Sequence, residues 1–97
     1  MDFSQLDYFR IAARRGNLTR AAEELYISQP GLSRSLSRLE EELGVPLFER
    51  RKGKVALNTY GQVFLANVEL AFEQLDQGVE TIRRMYSKDQ NILSVAC

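Results

Sequence analysis

The sequence predicts a mainly α-helical chain, in which a three-helix winged helix-turn-helix domain is followed by one long linker helix. Three observations indicate this fold class: two helical patterns meet at a short turn, a basic turn joins two short strand patterns, and a long apolar stripe repeats every 3.5 residues. A chain of 97 residues has room for one small domain.

Composition excludes several classes of protein. The chain has no His, no Trp and one Cys, so it cannot assemble a zinc site, an internal disulfide or a catalytic triad with a histidine base. No apolar run approaches the roughly 20 residues of a membrane span, and charges interrupt the stretch where a signal peptide needs an apolar core. We therefore predict a cytoplasmic protein without enzymatic activity, metal, cofactor or membrane contact.

Charge is distributed unevenly along the chain, although 13 basic residues balance 13 acidic ones. Residues 8–38 hold six arginines and two glutamates, and four further cations lie within residues 50–54. Residues 59–80, in contrast, hold four acids and no base. The first part of the chain therefore suits a polyanion, which the later part would repel.

Capping residues predict the bounds of the first two helices. Asp2 caps a helix that begins at Phe3, with Gln5 as its capping-box partner, and Gly16 ends it. Asn17 caps a short second helix with a clean apolar stripe. The residues that we expect only to build the core are Leu6, Phe9, Leu25, Leu36, Leu39 and Phe48.

The third helix has an apolar side and a polar side. Ser28 is its predicted cap, Pro30 lies in its first turn, and Gly44 ends it. At 100° per residue, one side collects leucines. The opposite side carries Pro30, Ser33, Arg34, Ser37, Arg38 and Glu41.

Two short strands, residues 47–50 and 55–57, enclose the basic turn Arg51–Lys54 and predict a β-hairpin. Asn58 or Thr59 then caps a fourth helix that we expect to run to about residue 87.

The fourth helix carries the stripe with the period of 3.5. Its members are Leu65, Val68, Phe72, Leu75, Val79, Ile82 and Tyr86. Such a stripe is typical of a coiled-coil seam and exceeds what one small domain can cover, so we predict that it pairs with a second copy of the chain. The alternative, in which it folds back on its own domain, stays open.

A polar stretch, Ser87–Asn91, predicts a hinge, and Ile92–Cys97 predicts a strand that lacks a partner. We therefore expect the chain to be the front part of a longer protein. The predicted division is a winged helix-turn-helix domain over residues 1–58, a linker and dimerisation helix over 59–88, and a hinge with the start of another domain over 89–97.

The polar side of the third helix has the residue types that read base edges in a major groove. Gln29 can pair with adenine, and Arg34 can pair with guanine or a phosphate. Ser33 and Ser37 can donate or accept, and Pro30 can contact a thymine methyl group. A helix-turn-helix presents its second helix to DNA in this way.

Phosphate contacts are predicted on both sides of this face. Ser28, at a helix N-terminus, favours an anion. Arg38 continues the basic face, and the hairpin contributes a cluster of cations to a wing that follows the sugar-phosphate backbone or enters the minor groove. The cations of this cluster are Arg50, Arg51, Lys52 and Lys54.

Four blocks of sequence together carry a resemblance to a known family. They are Leu18–Leu25, Ile27–Arg34, Leu39–Arg50 and Leu57–Gly61. The chain, from about Phe3 to Ser87, resembles the N-terminal DNA-binding domain of the LysR-type bacterial transcriptional regulators.

This resemblance implies a dimeric, sequence-specific regulator that binds double-stranded DNA at an interrupted inverted repeat. It implies that the linker helix pairs antiparallel with its twin, that an effector-binding domain begins near Asn91, and that the full-length protein forms a tetramer controlled by a small molecule. It places Gln29, Pro30, Ser33 and Arg34 on the DNA, with Arg50 and its neighbours in the wing. Asn58 replaces a Thr common in the family. Ser35 and Ser37 replace longer polar side chains.

Other charged residues have ordinary interpretations. We expect Arg10, Arg14 and Arg15 to be surface charges. The acidic run of residues 40–42 splays around a helix without a nucleophile, so it predicts a solvated face, with Glu40 free to accept a structural hydrogen bond. Two further classes remain open: an interaction module that docks a protein partner, and an architectural protein that binds DNA without sequence preference.

Overall fold

A computed structural model describes residues 1–52 and 54–96, of which residues 90–96 are described in their backbone alone. Its elements, in chain order, are α1 (Phe3–Arg15), α2 (Leu18–Leu25), α3 (Gln29–Leu43), β1 (Phe48–Arg51), β2 (Lys54–Leu57) and α4 (Thr59–Ala96). This order confirms the predicted winged helix-turn-helix with a long helix after it. Within the described part of the chain, no helix combines the length and the apolar character that a membrane span requires.

Local capping explains where the short helices begin and end. Asp2 Oδ1 accepts a hydrogen bond from the Gln5 backbone N–H (2.8 Å), and Asn17 caps α2 in the same manner. Gly16 (φ 67°) and Gly44 (φ 80°) end α1 and α3 in the left-handed conformation that glycine adopts without strain.

The capping box predicted at the start of α1 is only half formed. Gln5 Nε2 donates to the carbonyl oxygen of Ser35 in α3 (3.0 Å), so the predicted return bond to the Asp2 backbone is wrong. The two helices pack side by side, and this places the Ser35 carbonyl oxygen within reach of the Gln5 side chain. Gln5 therefore joins α1 to α3.

The core lies where α1, α2 and α3 meet the hairpin and the start of α4. The predicted core residues that are buried are Phe9, Leu36, Leu39 and Phe48, and those that are half-buried against them are Leu6 and Leu25. The Phe9 ring lies at its centre, with ring centroids 5.4 Å from Phe48 and 5.3 Å from Phe64. Aromatic contacts thus join α1 to both the wing and the long helix.

The hairpin begins and ends within one residue of the prediction. β1 pairs antiparallel with β2, and Arg51 lies opposite Lys54 at the turn. Gly53, the predicted turn glycine, lies outside the described residues. The Val55 N–H donates to the carbonyl oxygen of Gly16 (3.1 Å), so the wing is anchored on the turn between α1 and α2.

Asn58, rather than Thr59, caps α4. Its Oδ1 accepts from the Gly61 N–H (2.8 Å), while its Nδ2 donates to the carbonyl oxygen of Pro46 (2.8 Å). One side chain thus starts the long helix and fixes it to the segment before β1.

The first turns of α4 pack on the domain, and the remainder extends away from it. Val68 is buried in the core, and Phe72 contacts the Phe3 ring edge-on, with 6.1 Å between centroids. The Arg10 guanidinium carbon lies 4.2 Å from the centre of the Phe72 ring, which is a cation–π contact. All side chains described beyond Phe72 are exposed, and the molecule reaches 63 Å in length.

The long helix also continues beyond its predicted end. The hinge predicted at Ser87–Asn91 and the strand predicted at Ile92–Cys97 are wrong for residues 87–96, which are helical. No proline or glycine follows Gly78, so nothing interrupts the local hydrogen bonds of the helix, whereas a strand needs a partner strand. Cys97 lies outside the described residues. The predicted domain boundary within this helix stays a prediction.

Candidate nucleic-acid interface

The recognition helix α3 is held rigidly at its N-terminus and along one side. Ser28 Oγ accepts from the Gly31 N–H (3.1 Å), and Pro30 lies in the first turn. A Cβ at Gly31 would come within 2.9 Å of Ser28 Oγ, so the glycine leaves room for this cap. Leu32 and Leu36 are fully buried on the inner side, and the polar side must therefore face outward.

The structure brings the predicted α3 residues together on this outward side. Four of them are exposed: Ser28, Pro30, Arg34 and Arg38. Three are half-buried: Gln29, Ser33 and Ser37. All seven therefore belong to one continuous polar surface, which we call the α3 face.

The wing presents a concentrated positive charge beside the α3 face. Arg51, Lys52 and Lys54 are all exposed, and Lys52 adopts a positive φ of 47°. Arg51 and Lys54 are cross-strand partners, a placement in which like charges repel. A polyanion between or beside them would relieve this repulsion.

Arg50 links the wing to α3 rather than pointing freely outward. Its Nη1 donates to Ser33 Oγ (3.1 Å), and its Nη2 donates to Glu40 Oε1 (3.2 Å). Neither contact could be predicted from the sequence, since both partners lie at least ten residues earlier in the chain. Arg50 therefore fixes the distance between wing and α3 face.

Glu40 accepts the structural hydrogen bonds that the sequence allowed for. Its Oε2 accepts from the backbone N–H groups of Leu47 (2.6 Å) and Phe48 (3.3 Å), where the chain enters β1. Together with the Arg50 contact, this carboxylate stabilises the junction of α3 and the hairpin.

Ion pairing separates two groups of cations in the described residues. Arg15 is exposed and pairs with Glu24 (2.6 Å), which agrees with its predicted surface role. Arg10 pairs with Asp7 (2.6 Å) but is half-buried against Phe72, so it is more than a surface charge. The cations of the α3 face and of the wing that make no described ion pair are Arg34, Arg38, Arg51, Lys52 and Lys54. Their charge is available to a ligand.

A cleft between α1 and α3 lies along the edge of the α3 face. It is lined by Asp2, Ser4, Gln5, Tyr8, Gly31, Arg34, Ser35 and Arg38. Sequence reasoning missed the α1 contribution, because Ser4 and Tyr8 lie more than 20 residues before the start of α3 and reach it only through helix packing.

The N-terminal amine lies near the other end of α3. The Met1 ammonium donates to Glu42 Oε1 (2.8 Å), and this hydrogen bond raises the pKa of the amine above its usual value.

The predicted dimerisation stripe divides into two parts. Val68 is 4% exposed, and Leu65 and Phe72 pack partly against the same core, so this part covers its own domain. The remaining members are largely exposed, at 48% for Leu75, 46% for Val79, 66% for Ile82 and 62% for Tyr86. Only this distal part offers an open apolar surface.

Comparison with known families gives a match over most of the folded domain. Residues 3–62 match the model of the bacterial regulatory helix-turn-helix protein, lysR family. An uncharacterized HTH-type transcriptional regulator, YybE of Bacillus subtilis, is 43% identical over 98% of this chain and 32% of its own length. The probable cat1 operon transcriptional activator of Acinetobacter lwoffii is 39% identical over 98% of this chain and 31% of its own. The chain thus spans about a third of the length of these relatives.

Solved structures match as well. The CbnR DNA-binding domain in complex with DNA is 36% identical, with a TM-score of 0.79 over 86% of this chain and 95% of that one. The BenM DNA-binding domain on its catB site 1 DNA is 36% identical, with a TM-score of 0.83 over 90% of this chain and 94% of that one.

Proposed function

Because this chain belongs to the lysR family of bacterial regulatory helix-turn-helix proteins and carries the DNA-binding domain of a LysR-type transcriptional regulator, we propose how it engages its operator. The α3 face enters the major groove, and the wing follows the adjacent backbone. One observation carries this proposal: the outward polar face of α3 adjoins the exposed wing cations Arg51, Lys52 and Lys54, which have no acidic partner in the described residues.

Base recognition falls to the N-terminal half of α3. Gln29 pairs with an adenine edge, Arg34 with a guanine edge or a phosphate, and Pro30 contacts a thymine methyl group. Ser33 and Ser37 adapt to either donors or acceptors. The Arg50 contact supports this arrangement, since it holds Ser33 at the wing edge of the groove.

Affinity comes mainly from phosphate contacts. Arg51, Lys52 and Lys54 neutralise phosphates beside or within the minor groove, and Arg38 neutralises one at the end of the α3 face. The Ser28 hydroxyl, at the start of α3, donates a hydrogen bond to another phosphate. Arg50 contacts the backbone beside this set, while its bonds to Ser33 and Glu40 bridge the wing to α3 and offset part of its charge.

A second copy of the chain covers the distal part of the α4 stripe. In an antiparallel pair centred between Val79 and Ile82, Leu75 faces the partner's Tyr86, and Val79 faces the partner's Ile82. Each residue of the open apolar surface then contacts another one.

Charge supports this register. Asp76 and Arg83 lie one residue after Leu75 and Ile82, on the same flank of the stripe, and neither makes an ion pair in the described residues. In the antiparallel register Asp76 meets the partner's Arg83, and the pair occurs twice by symmetry. A parallel pair would instead place Asp76 beside the partner's Ala71, which offers no charge.

The properties of a longer protein follow from the family and remain part of the proposal. Two domains related by a dyad bind an interrupted inverted repeat. We assign to the full-length protein a C-terminal domain that binds a small-molecule effector. It forms a tetramer, lies in the cytoplasm and has no enzymatic activity. The relatives' names as transcriptional regulators support it.

Selection from random duplexes tests the proposal. The 97-residue chain should enrich one sequence class and bind it about 10³-fold or more tightly than a shuffled duplex. Fluorescence anisotropy at two salt concentrations measures both affinities. A steep salt dependence without preference would instead indicate an architectural protein, and no binding to any duplex would indicate a protein-docking module.

A further inference from the structure

The α3 face has two edges, and only one of them adjoins the wing. At 100° per residue, Ser33 and Glu40 lie on the edge that Arg50 joins to the wing. Ser35 and Arg38 lie on the opposite edge, where the cleft between α1 and α3 opens. The cleft is therefore on the other side of the recognition helix from the wing.

The side chains that line this cleft can donate hydrogen bonds to an anion. Arg34 and Arg38, one helical turn apart, are exposed and make no ion pair in the described part of the chain. Across from them are the hydroxyl groups of Ser4 and Tyr8, for which the described residues offer no hydrogen-bond partner. Guanidinium and hydroxyl groups are common donors to phosphate oxygens.

One acid opposes this charge. Asp2 also lines the cleft, and its Oδ1 is occupied by the Gln5 N–H at the start of α1. The two guanidinium groups leave the cleft with a net positive charge. Removing the carboxylate charge should therefore strengthen any anion bound there.

A helix lying in a major groove has a sugar-phosphate backbone on each side. The wing supplies cations to one backbone, and the cleft faces the other. We propose that the cleft is a second backbone site: a phosphodiester of the DNA strand across the groove from the wing is held by Arg38 and by the hydroxyl groups of Ser4 and Tyr8.

This site rests on the proposed DNA binding and adds α1 to it. Gln5 is a positioning residue, since its bond to the Ser35 carbonyl sets the width of the cleft. The duplex backbone is the source of the phosphate, because the cleft adjoins the α3 face and is open rather than enclosed.

Asp2→Asn is the sharpest test. Asn caps a helix as well as Asp does, so α1 remains intact while one negative charge leaves the cleft. We expect tighter binding of the selected duplex and of a shuffled duplex alike, by about threefold at low salt. Glu73→Gln, the same change on exposed α4, controls for net charge and should leave both affinities unchanged. Equal affinities for Asp2→Asn and wild type would overturn the proposal.

Tyr8→Phe with Ser4→Ala removes the two hydroxyl groups and little else. We expect a loss of affinity of about tenfold, equal for both duplexes, with an unchanged melting temperature. Ethylation interference should show the loss of one phosphate contact on the strand opposite the wing, whereas Arg51→Ala loses a different one. An unchanged interference pattern would refute the cleft site while leaving the proposed function intact.

Inorganic phosphate at constant ionic strength separates a free-anion site from a backbone site. We expect about 10 mM phosphate to leave the affinity of the wild type for DNA unchanged, because a free anion in an open cleft lacks the many other contacts that hold the duplex. Competition that disappears in Arg38→Ala would show instead that the cleft binds free phosphate. Failure of the wild type to bind any duplex would refute the proposed function itself.

Discussion

Arg34 and Arg51 lie on neighbouring surfaces and have the same charge, yet they should differ in what they do. Arg34 lies on the α3 face, so Arg34→Ala should cost about 1–3 kcal/mol of binding free energy and relax the preference at one base position. Binding to a panel of single-base variants of the selected duplex measures both effects. An unaltered preference would remove Arg34 from base recognition.

Arg51 is the matched cation, for which we expect phosphate contact without base recognition. Arg51→Ala should weaken binding to all duplexes alike and lower the slope of log K against log salt by about 1. A salt titration of anisotropy measures the slope. If preference changes while the slope does not, the wing reads bases.

Glu40 should matter for stability far more than its neighbour Glu41. Glu40→Ala leaves the N–H groups of Leu47 and Phe48 and the Arg50 guanidinium without their acceptor, and it should lower the free energy of unfolding by about 2–3 kcal/mol. Glu41 is exposed and has no hydrogen bond in the described residues, so Glu41→Ala should stay within about 0.5 kcal/mol. Urea unfolding compares the two, and equal losses would contradict the role of Glu40.

Residues whose contacts are local could be predicted from the sequence, and those with distant contacts could not. Ser28 caps α3 as expected, because its partner is three residues away. Gln5 fits a capping box equally well by spacing, but its side chain bonds to Ser35, 30 residues later. Tertiary packing decided between the two partners, and no pattern in the sequence carries that information.

Elements follow the same division. The hairpin can be predicted from the glycine-containing basic turn between two short strand patterns, and the predicted strands begin and end within one residue of the observed ones. The end of α4 cannot be predicted in this way, because polar residues at 87–91 resemble a hinge but do not stop a helix. The apolar stripe correctly predicts a helix. The packing of its first half on its own domain could not be predicted, because it depends on the angle at which α4 leaves the hairpin.

Gly61 sets that angle. A Cβ at Gly61 would overlap the carbonyl oxygen of Leu47, so the first turn of α4 lies directly against the chain before β1. Gly61→Ala should therefore destabilise the domain by about 1–3 kcal/mol, despite the better helix propensity of Ala. Gly78→Ala in the same helix meets no atom within 4 Å and should stabilise it or leave it unchanged. Thermal unfolding of both variants decides, and a neutral Gly61→Ala would contradict the close contact.

At the scale of the whole molecule, the parts of the proposed DNA interface come from distant segments of the chain. The α3 face could be predicted because one helix carries it. The surfaces on its two sides form only when the chain folds. Arg50 joins the wing to α3, and Gln5 joins α1 to α3 at the cleft. A neutral chain thus gathers unpaired cations at one end, while the acids of α4 extend away from it along the 63 Å axis. This separation keeps the acids of α4 distant from a polyanion bound at the other end.

The distal helix should pair with its twin in one register, and charge can test that register. Asp76→Arg or Arg83→Asp alone sets like charges against each other twice per dimer and should weaken dimerisation by about tenfold. The double variant restores both pairs and should recover the wild-type dimer in sedimentation equilibrium. Glu73→Arg, outside the proposed contact, should have little effect on dimerisation. As a separate test of the apolar seam, Leu75→Glu should yield monomers, since it places a charge among the apolar side chains. A double variant as weak as the single ones would exclude this antiparallel register, because only there does Asp76 meet the partner's Arg83.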